Sequence, residues 1–134
     1  MREEKFKIIQ FIREFIVMIE VELKNFPKKD IELKNHIRTD IYELLEISYF
    51  ANTTLDINNK KRLIEQLIAK VKVIDFLLNY AFENELINKK KYIKFGAKLD
   101  DIVKYSTGWL NALTGGKRRN LQANLQEFAD KPIN

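Results

Sequence analysis

Between Lys60 and Leu113 the chain repeats apolar residues at a spacing that suits two helices packed side by side. Ile64, Leu67, Val71, Ile74, Leu78 and Ala81 follow one another at steps of three and four. Tyr92, Phe95, Leu99, Ile102, Ser106, Trp109 and Leu113 do the same. This is the a/d stripe of helices crossing at a shallow angle. Only the short stretch Asn84-Glu85-Leu86-Ile87-Asn88 separates the two stripes. A link of that length requires the helices to run antiparallel, and whatever else folds must pack on this hairpin.

Two further helices are expected upstream. Ile8, Ile12, Phe15, Ile19, Leu23 and Phe26 form a stripe that predicts a first helix over about Glu3 to Asn25, halted by Pro27. Ile9, Phe11, Ile16, Val17 and Met18 lie outside that stripe, so the helix is apolar on more than one side and meets more than one neighbour. Leu33, Ile37, Ile41, Leu44, Leu45 and Ser48 predict a second helix that begins between Lys28 and Leu33 and ends near Asn52. Asp30 is the expected N-cap of this second helix, and Asp56 or Asn58 that of the third. Ile87-Asn88 with Tyr92 fits an N-cap and staple for the fourth. Gly115-Gly116 is expected to end the fourth helix. The expectation is therefore an all-α, up-down-up-down four-helix bundle over residues 1–113. Residues 114–134 would then be a basic tail, either a short helix through Leu121, Leu125 and Phe128 or a loose segment.

Composition narrows the chemistry. The chain has 134 residues and no cysteine, which excludes disulfides and thiolate chemistry. A single histidine, His36, leaves a histidine-based metal cage or triad without members. Di-iron bundles need Glu-x-x-His, and Leu33 stands three residues before His36. Glu43 and Glu46, and the adjacent Asp100 and Asp101, read as solvated surface acids. With glycines only at 96, 108, 115 and 116, no phosphate-cradling loop can form. No catalytic site and no cofactor are expected. The longest apolar run, Phe15 to Ile19, is far short of the ~20 residues that span a bilayer. The chain reads as soluble and cytoplasmic.

The net charge of +5 is uneven. Residues 89–113 hold six lysines against two aspartates, a net +4, whereas residues 1–27 balance to zero. The densest basic run is Lys89-Lys90-Lys91 with Lys94 and Lys98; Lys60-Lys61-Arg62 and Lys117-Arg118-Arg119 are two more. Such asymmetry can point to a polyanion partner, but on charge alone a soluble lysine-rich helical surface is the better account. Tyr92 and Phe95 interleave with the lysines but fall on the a/d stripe, so they read as packing residues. Trp109 does too.

Several of these residues together resemble a known family. Phe26-Pro27-Lys28 ahead of the second helix, Leu33-x-x-x-Ile37, and Tyr92 opening a helix that closes on Gly108-Trp109 are similar to the accessory variability determinant (Avd) proteins of diversity-generating retroelements. The likeness covers roughly residues 5–113 and extends to four-helix bundle proteins encoded in ribosomal RNA intervening sequences. An Avd-type resemblance implies a homo-oligomeric ring, five subunits around a channel, with a basic surface. It implies binding of the retroelement RNA and of a cognate reverse transcriptase in support of mutagenic cDNA synthesis, with no enzymatic activity of its own. Lys60, Lys61, Arg62, Lys89, Lys90, Lys91, Lys94, Lys98, Lys117, Arg118 and Arg119 would be the phosphate contacts. The intervening-sequence likeness implies instead a protein–protein scaffold without functional nucleic-acid binding.

Overall fold

A computed structural model describes the backbone of residues 2–130 and the side chains of residues 7–115. Four helices follow in chain order: α1 (Arg2–Leu23), α2 (Ile31–Thr53), α3 (Ile57–Glu83) and α4 (Lys89–Asp130). A single 3-10 turn, Lys28–Asp30, leads into α2, and there is no strand among the described residues. α1 packs on α2 and α4, and α3 packs on the same two; the diagonals make no close backbone approach among the described residues. This square arrangement is an all-α four-helix bundle.

The stripes read from the sequence are the core. Ile64, Leu67, Val71, Ile74, Leu78 and Ala81 of α3 are buried, as are Phe95, Leu99, Ile102 and Trp109 of α4. Ile8, Ile12, Phe15, Ile19 and Leu23 of α1 and Ile37, Ile41 and Leu44 of α2 close the interior. Phe15 and Phe95 meet edge to face, their centroids 6.0 Å apart, an arrangement that adds to simple area burial. Tyr92 is a packing residue: its ring stacks on Phe82 at 4.5 Å, and its hydroxyl accepts a hydrogen bond from Asn79 Nδ2 at 2.8 Å.

Helix ends follow the local chemistry in three places and depart from it in two. Asp56 caps α3, its carboxylate accepting the Asn59 N–H at 2.9 Å. Asn88 caps α4 through the Lys91 N–H at 2.8 Å. Phe26 is buried ahead of Pro27, where α1 has already ended. Asp30, however, does not cap α2 with its side chain. It is held in the 3-10 turn by its own N–H donating to the Pro27 carbonyl, and its φ of −105° and ψ of 23° lie outside the extended region that a capping side chain needs.

Gly115-Gly116 does not end α4, which runs unbroken to Asp130. Gly115 shows no left-handed φ. A glycine inside a helix costs about 1 kcal/mol against alanine. Here the good helix formers on both sides outweigh it, and just before it Thr114 Oγ1 donates back to the Leu110 carbonyl at 3.0 Å. The basic tail is thus a continuation of α4 and no separate element. Its Lys117, Arg118 and Arg119 side chains lie outside the described residues.

The stop that does operate lies between α3 and α4. The Leu86 N–H reaches the Ala81 carbonyl at 2.9 Å, and the Glu85 N–H reaches Phe82 at 3.0 Å. This is the paired hydrogen-bond pattern of a Schellman motif. Its left-handed position, usually glycine, is Glu85 with φ 61°. A side chain there costs about 1–2 kcal/mol, so Glu85→Gly is expected to raise stability by about 1 kcal/mol. A denaturation midpoint that falls in this variant would contradict the assignment. Ile74 and Leu99, both fully enclosed, give the complementary test. Truncating either to alanine should cost ~2–5 kcal/mol in chemical denaturation, and unchanged midpoints would mean the seam is misplaced.

Candidate functional site

The basic residues do not form one patch. α1 and α4 run antiparallel, as Lys91–Glu22 at 2.8 Å and Lys98–Glu14 at 2.7 Å show. α3 runs antiparallel to α4, with Asn79 opposite Tyr92 and Lys60 Nζ 5.7 Å from the Trp109 ring centre. Lys60, Lys61 and Arg62 therefore sit at the end of the bundle opposite Lys89, ~30 Å away along the helix axis. Lys117 lies still further along α4, ~42 Å from Lys89.

Nor are the lysines of α4 equivalent. Lys98 bonds Glu14 and lies 5.0 Å from the Phe11 ring centre, so its charge is spent on α1. Lys91 is likewise paired with the half-buried Glu22. These two are fastenings between helices. Lys89, Lys90 and Lys94 are exposed and take part in no ion pair among the described residues. Lys60 over Trp109 gains a cation–π contact, which offsets the unfavourable position of a cation at a helix N-terminus.

The fold adds lysines that the sequence analysis did not name as phosphate contacts. Lys24 follows the last turn of α1, and Lys28 and Lys29 form the turn into α2. All three are exposed. The Lys91–Glu22 register places Lys24 level with Lys89, so this end of the bundle gathers Lys24, Lys28, Lys29, Lys89, Lys90 and Lys94. They come from two segments some 60 positions apart, and only the antiparallel α1–α4 pairing unites them. The N-terminus of α4 contributes positive potential at the same end. Beside it lies a shallow depression of about 160 Å³ lined by Met18, Val21, Lys91, Lys94 and Phe95.

Acidic chemistry is structural. Arg38 holds Glu20 at 2.8 Å across α1 and α2, which raises the guanidinium above its ordinary value. Lys70 bonds Glu43 at 2.7 Å and lies 3.7 Å from the buried Asp40, and these carboxylates push its ammonium up. His36 approaches Asp40 at 3.6 Å from an exposed position. No group of three or more His, Asp or Glu side chains that could hold a metal occurs among the described residues. No helix there is long and apolar enough to cross a membrane.

The outer surface carries apolar residues as well. Val17 and Val21 on α1, and Tyr42, Tyr49 and Phe50 on α2, are exposed, Val17 being one of the surplus apolar positions of the first helix. Ile16 and Phe11 are instead drawn inward, Phe11 onto Tyr105 at 5.4 Å. Val73, Phe76 and Tyr80 give α3 an exposed apolar strip of its own, with Phe76 at 66% exposure. They fall off the a/d stripe, and a count of the stripe alone passes over them. No family model, no curated protein and no solved structure matches this chain.

The Glu14–Lys98 pair makes a pH prediction. The Lys98 ammonium, helped by Gln10, holds the Glu14 carboxyl below its usual range. A depressed carboxyl stabilises the fold above its unfolded value of about 4.3 and loses that contribution as pH falls through the lower folded value. Glu14→Gln should therefore lose less melting temperature between pH 5 and 3 than the native chain. Equal losses in calorimetry would show that the pair contributes nothing.

Proposed function

We propose that this protein is a non-enzymatic, RNA-binding accessory protein of the Avd type. It engages phosphate through the lysine-rich end of the bundle, works beside a reverse transcriptase in the cytoplasm, and assembles as a homo-oligomer, the pentamer that the family resemblance implies. The observation that carries the reading is the convergence of Lys24, Lys28, Lys29, Lys89, Lys90 and Lys94, six exposed cations with no partnering carboxylate among the described residues. Charges left without partners and gathered at one end are what a phosphate backbone requires. The reverse transcriptase and the retroelement RNA come from the family resemblance. The second basic end, at Lys61 and Arg62, favours an extended ligand over a small one.

Contacts of this kind position a ligand without reading its bases. Binding should weaken with salt by roughly 0.7–0.9 log units per log unit of salt for each phosphate neutralised. Changing Lys89, Lys90 and Lys94 together to Glu should flatten that slope and weaken unrelated RNA sequences alike, with helicity intact. Lys91→Gln and Lys98→Gln should leave the slope nearly unchanged, since those charges are already paired with Glu22 and Glu14. Anisotropy titrations at several salt concentrations read both effects. If the native chain binds no RNA at low salt, the scaffold reading, favoured by the exposed aromatic residues of α2 and α3, takes its place.

The surplus apolar surface on α1 and α2 supports self-association. A light-scattering mass of 15.9 kDa, the monomer value, at micromolar concentration would remove the oligomer and with it the ring.

A further inference from the structure

α4 outruns its own bundle. Glu22–Lys91, Glu14–Lys98 and Lys7 over Tyr105 set α1 against α4, and Lys60 over Trp109 sets α3. Continued to the helix ends, these registers bring Arg2 of α1 and Ile57 of α3 level with the stretch around Leu113 of α4. Thr53, the last residue of α2, lies at the same end, beside the start of α3. Residues 114–130 therefore project ~24 Å past every helix that could cover them in this chain. Leu121, Leu125 and Phe128 share one face of that projection by their spacing, and Lys117, Arg118 and Arg119 precede them. A helix of this length alone is marginal in water, so the projection needs a surface.

A surface of matching character lies at the same end, on the outer side of α2. Tyr42, Leu45, Glu46, Tyr49, Phe50 and Thr53 line a shallow groove of about 510 Å³. Residues 42–53 include Glu43 and Glu46 and no lysine or arginine. Glu43 is engaged by Lys70, whereas Glu46 takes part in no ion pair among the described residues. The groove is thus apolar with one carboxylate left over, and the projection is apolar with three cations at its root. Glu46 lies ~10 Å inside the end of α2, and Lys117 to Arg119 lie ~6–9 Å beyond Leu113. Two bundles placed end to end bring these charges to the same level.

We infer that the α4 projection of one copy docks antiparallel along the α2 groove of a second copy, and reciprocally. The groove cannot take its own projection, because α4 continues as a helix past Gly115 without a turn. The contact is two-fold, burying an amphipathic helix face in a groove on each side. It joins bundles at their ends, so it adds to a side-by-side ring and does not compete with one. It also leaves uncovered the lysines at the opposite end of the bundle, Lys24, Lys28, Lys29, Lys89, Lys90 and Lys94.

The absence of cysteine from the sequence makes a direct test possible. Tyr42→Cys and Leu125→Cys, which this register brings level, are made in separate full-length chains, mixed and oxidised. A disulfide-linked species of twice the chain mass should form at least about tenfold faster than when Asp75→Cys replaces Tyr42→Cys, since docking raises the local thiol concentration. Tyr42→Cys alone should not form it at that rate. Adding Glu46→Lys should slow the linkage, and Arg118→Glu in the other chain should restore it. Linkage no faster than the Asp75→Cys control, or unaffected by Glu46→Lys, overturns the inference even if light scattering still finds an oligomer. Loss of RNA binding in the lysine variants leaves this result untouched.

Discussion

The seam between α3 and α4 is the constraint on which the rest of the molecule depends. Ile74, Val71 and Leu67 lie level with Phe95, Leu99 and Ile102 in the buried interior, and the hairpin turn sets their register within a few residues. Glu85 accepts a left-handed backbone there because the Leu86–Ala81 and Glu85–Phe82 hydrogen bonds, with Ile87 buried beside them, outweigh the local cost. α1 and α2 then lie across this pair and complete the square. The ion pairs at the rim, Glu14–Lys98, Glu22–Lys91, Glu20–Arg38 and Glu43–Lys70, each join neighbouring helices. Exposed pairs of this kind contribute little to stability. Their consequence is geometric: they consume particular charges and leave others free.

That division of the charges shapes the functional reading. A run such as Lys89-Lys90-Lys91-x-x-Lys94 looks uniform along the chain, yet helical periodicity turns Lys91 toward Glu22 and leaves its neighbours facing water. Lys98, two turns beyond Lys91, bridges to Glu14. The cations left over meet Lys24, Lys28 and Lys29 at one end, with the dipole of α4 adding to them. The potential is therefore concentrated at the bundle's end, and a long polyanion could follow α4 to the second basic end.

The apolar surface divides in a similar way. A four-helix bundle needs only about one face of each helix for its interior. α1, α2 and α3 carry more than that, so Val17, Tyr49 and Phe76 remain outside. α4 leaves Ile93 exposed within the bundle and extends as a helix beyond it. An outer groove on α2 and a projecting helix at the same end have complementary needs, and a second copy satisfies both at once.

The fold class was legible in the sequence because a/d spacing over six or seven positions leaves helices little choice, and a five-residue link leaves their direction even less. Asp56 and Asn88 were legible as caps, since a capping side chain bonds a backbone group only three residues away. Asp30 and Gly115-Gly116 misled for one reason: local preferences of about 1 kcal/mol yield to the context of neighbouring turns. The basic clusters were legible as composition, but which lysines are free was not. Lys91 and Lys98 are claimed by carboxylates 69 and 84 positions earlier, and Lys24 joins Lys89 only through antiparallel packing. The sequence by itself determined the helices and their buried faces, because periodicity is a local property of the chain. Only the tertiary structure decided which charges are left to meet a partner, because pairing across helices is set by register, and register belongs to the whole bundle.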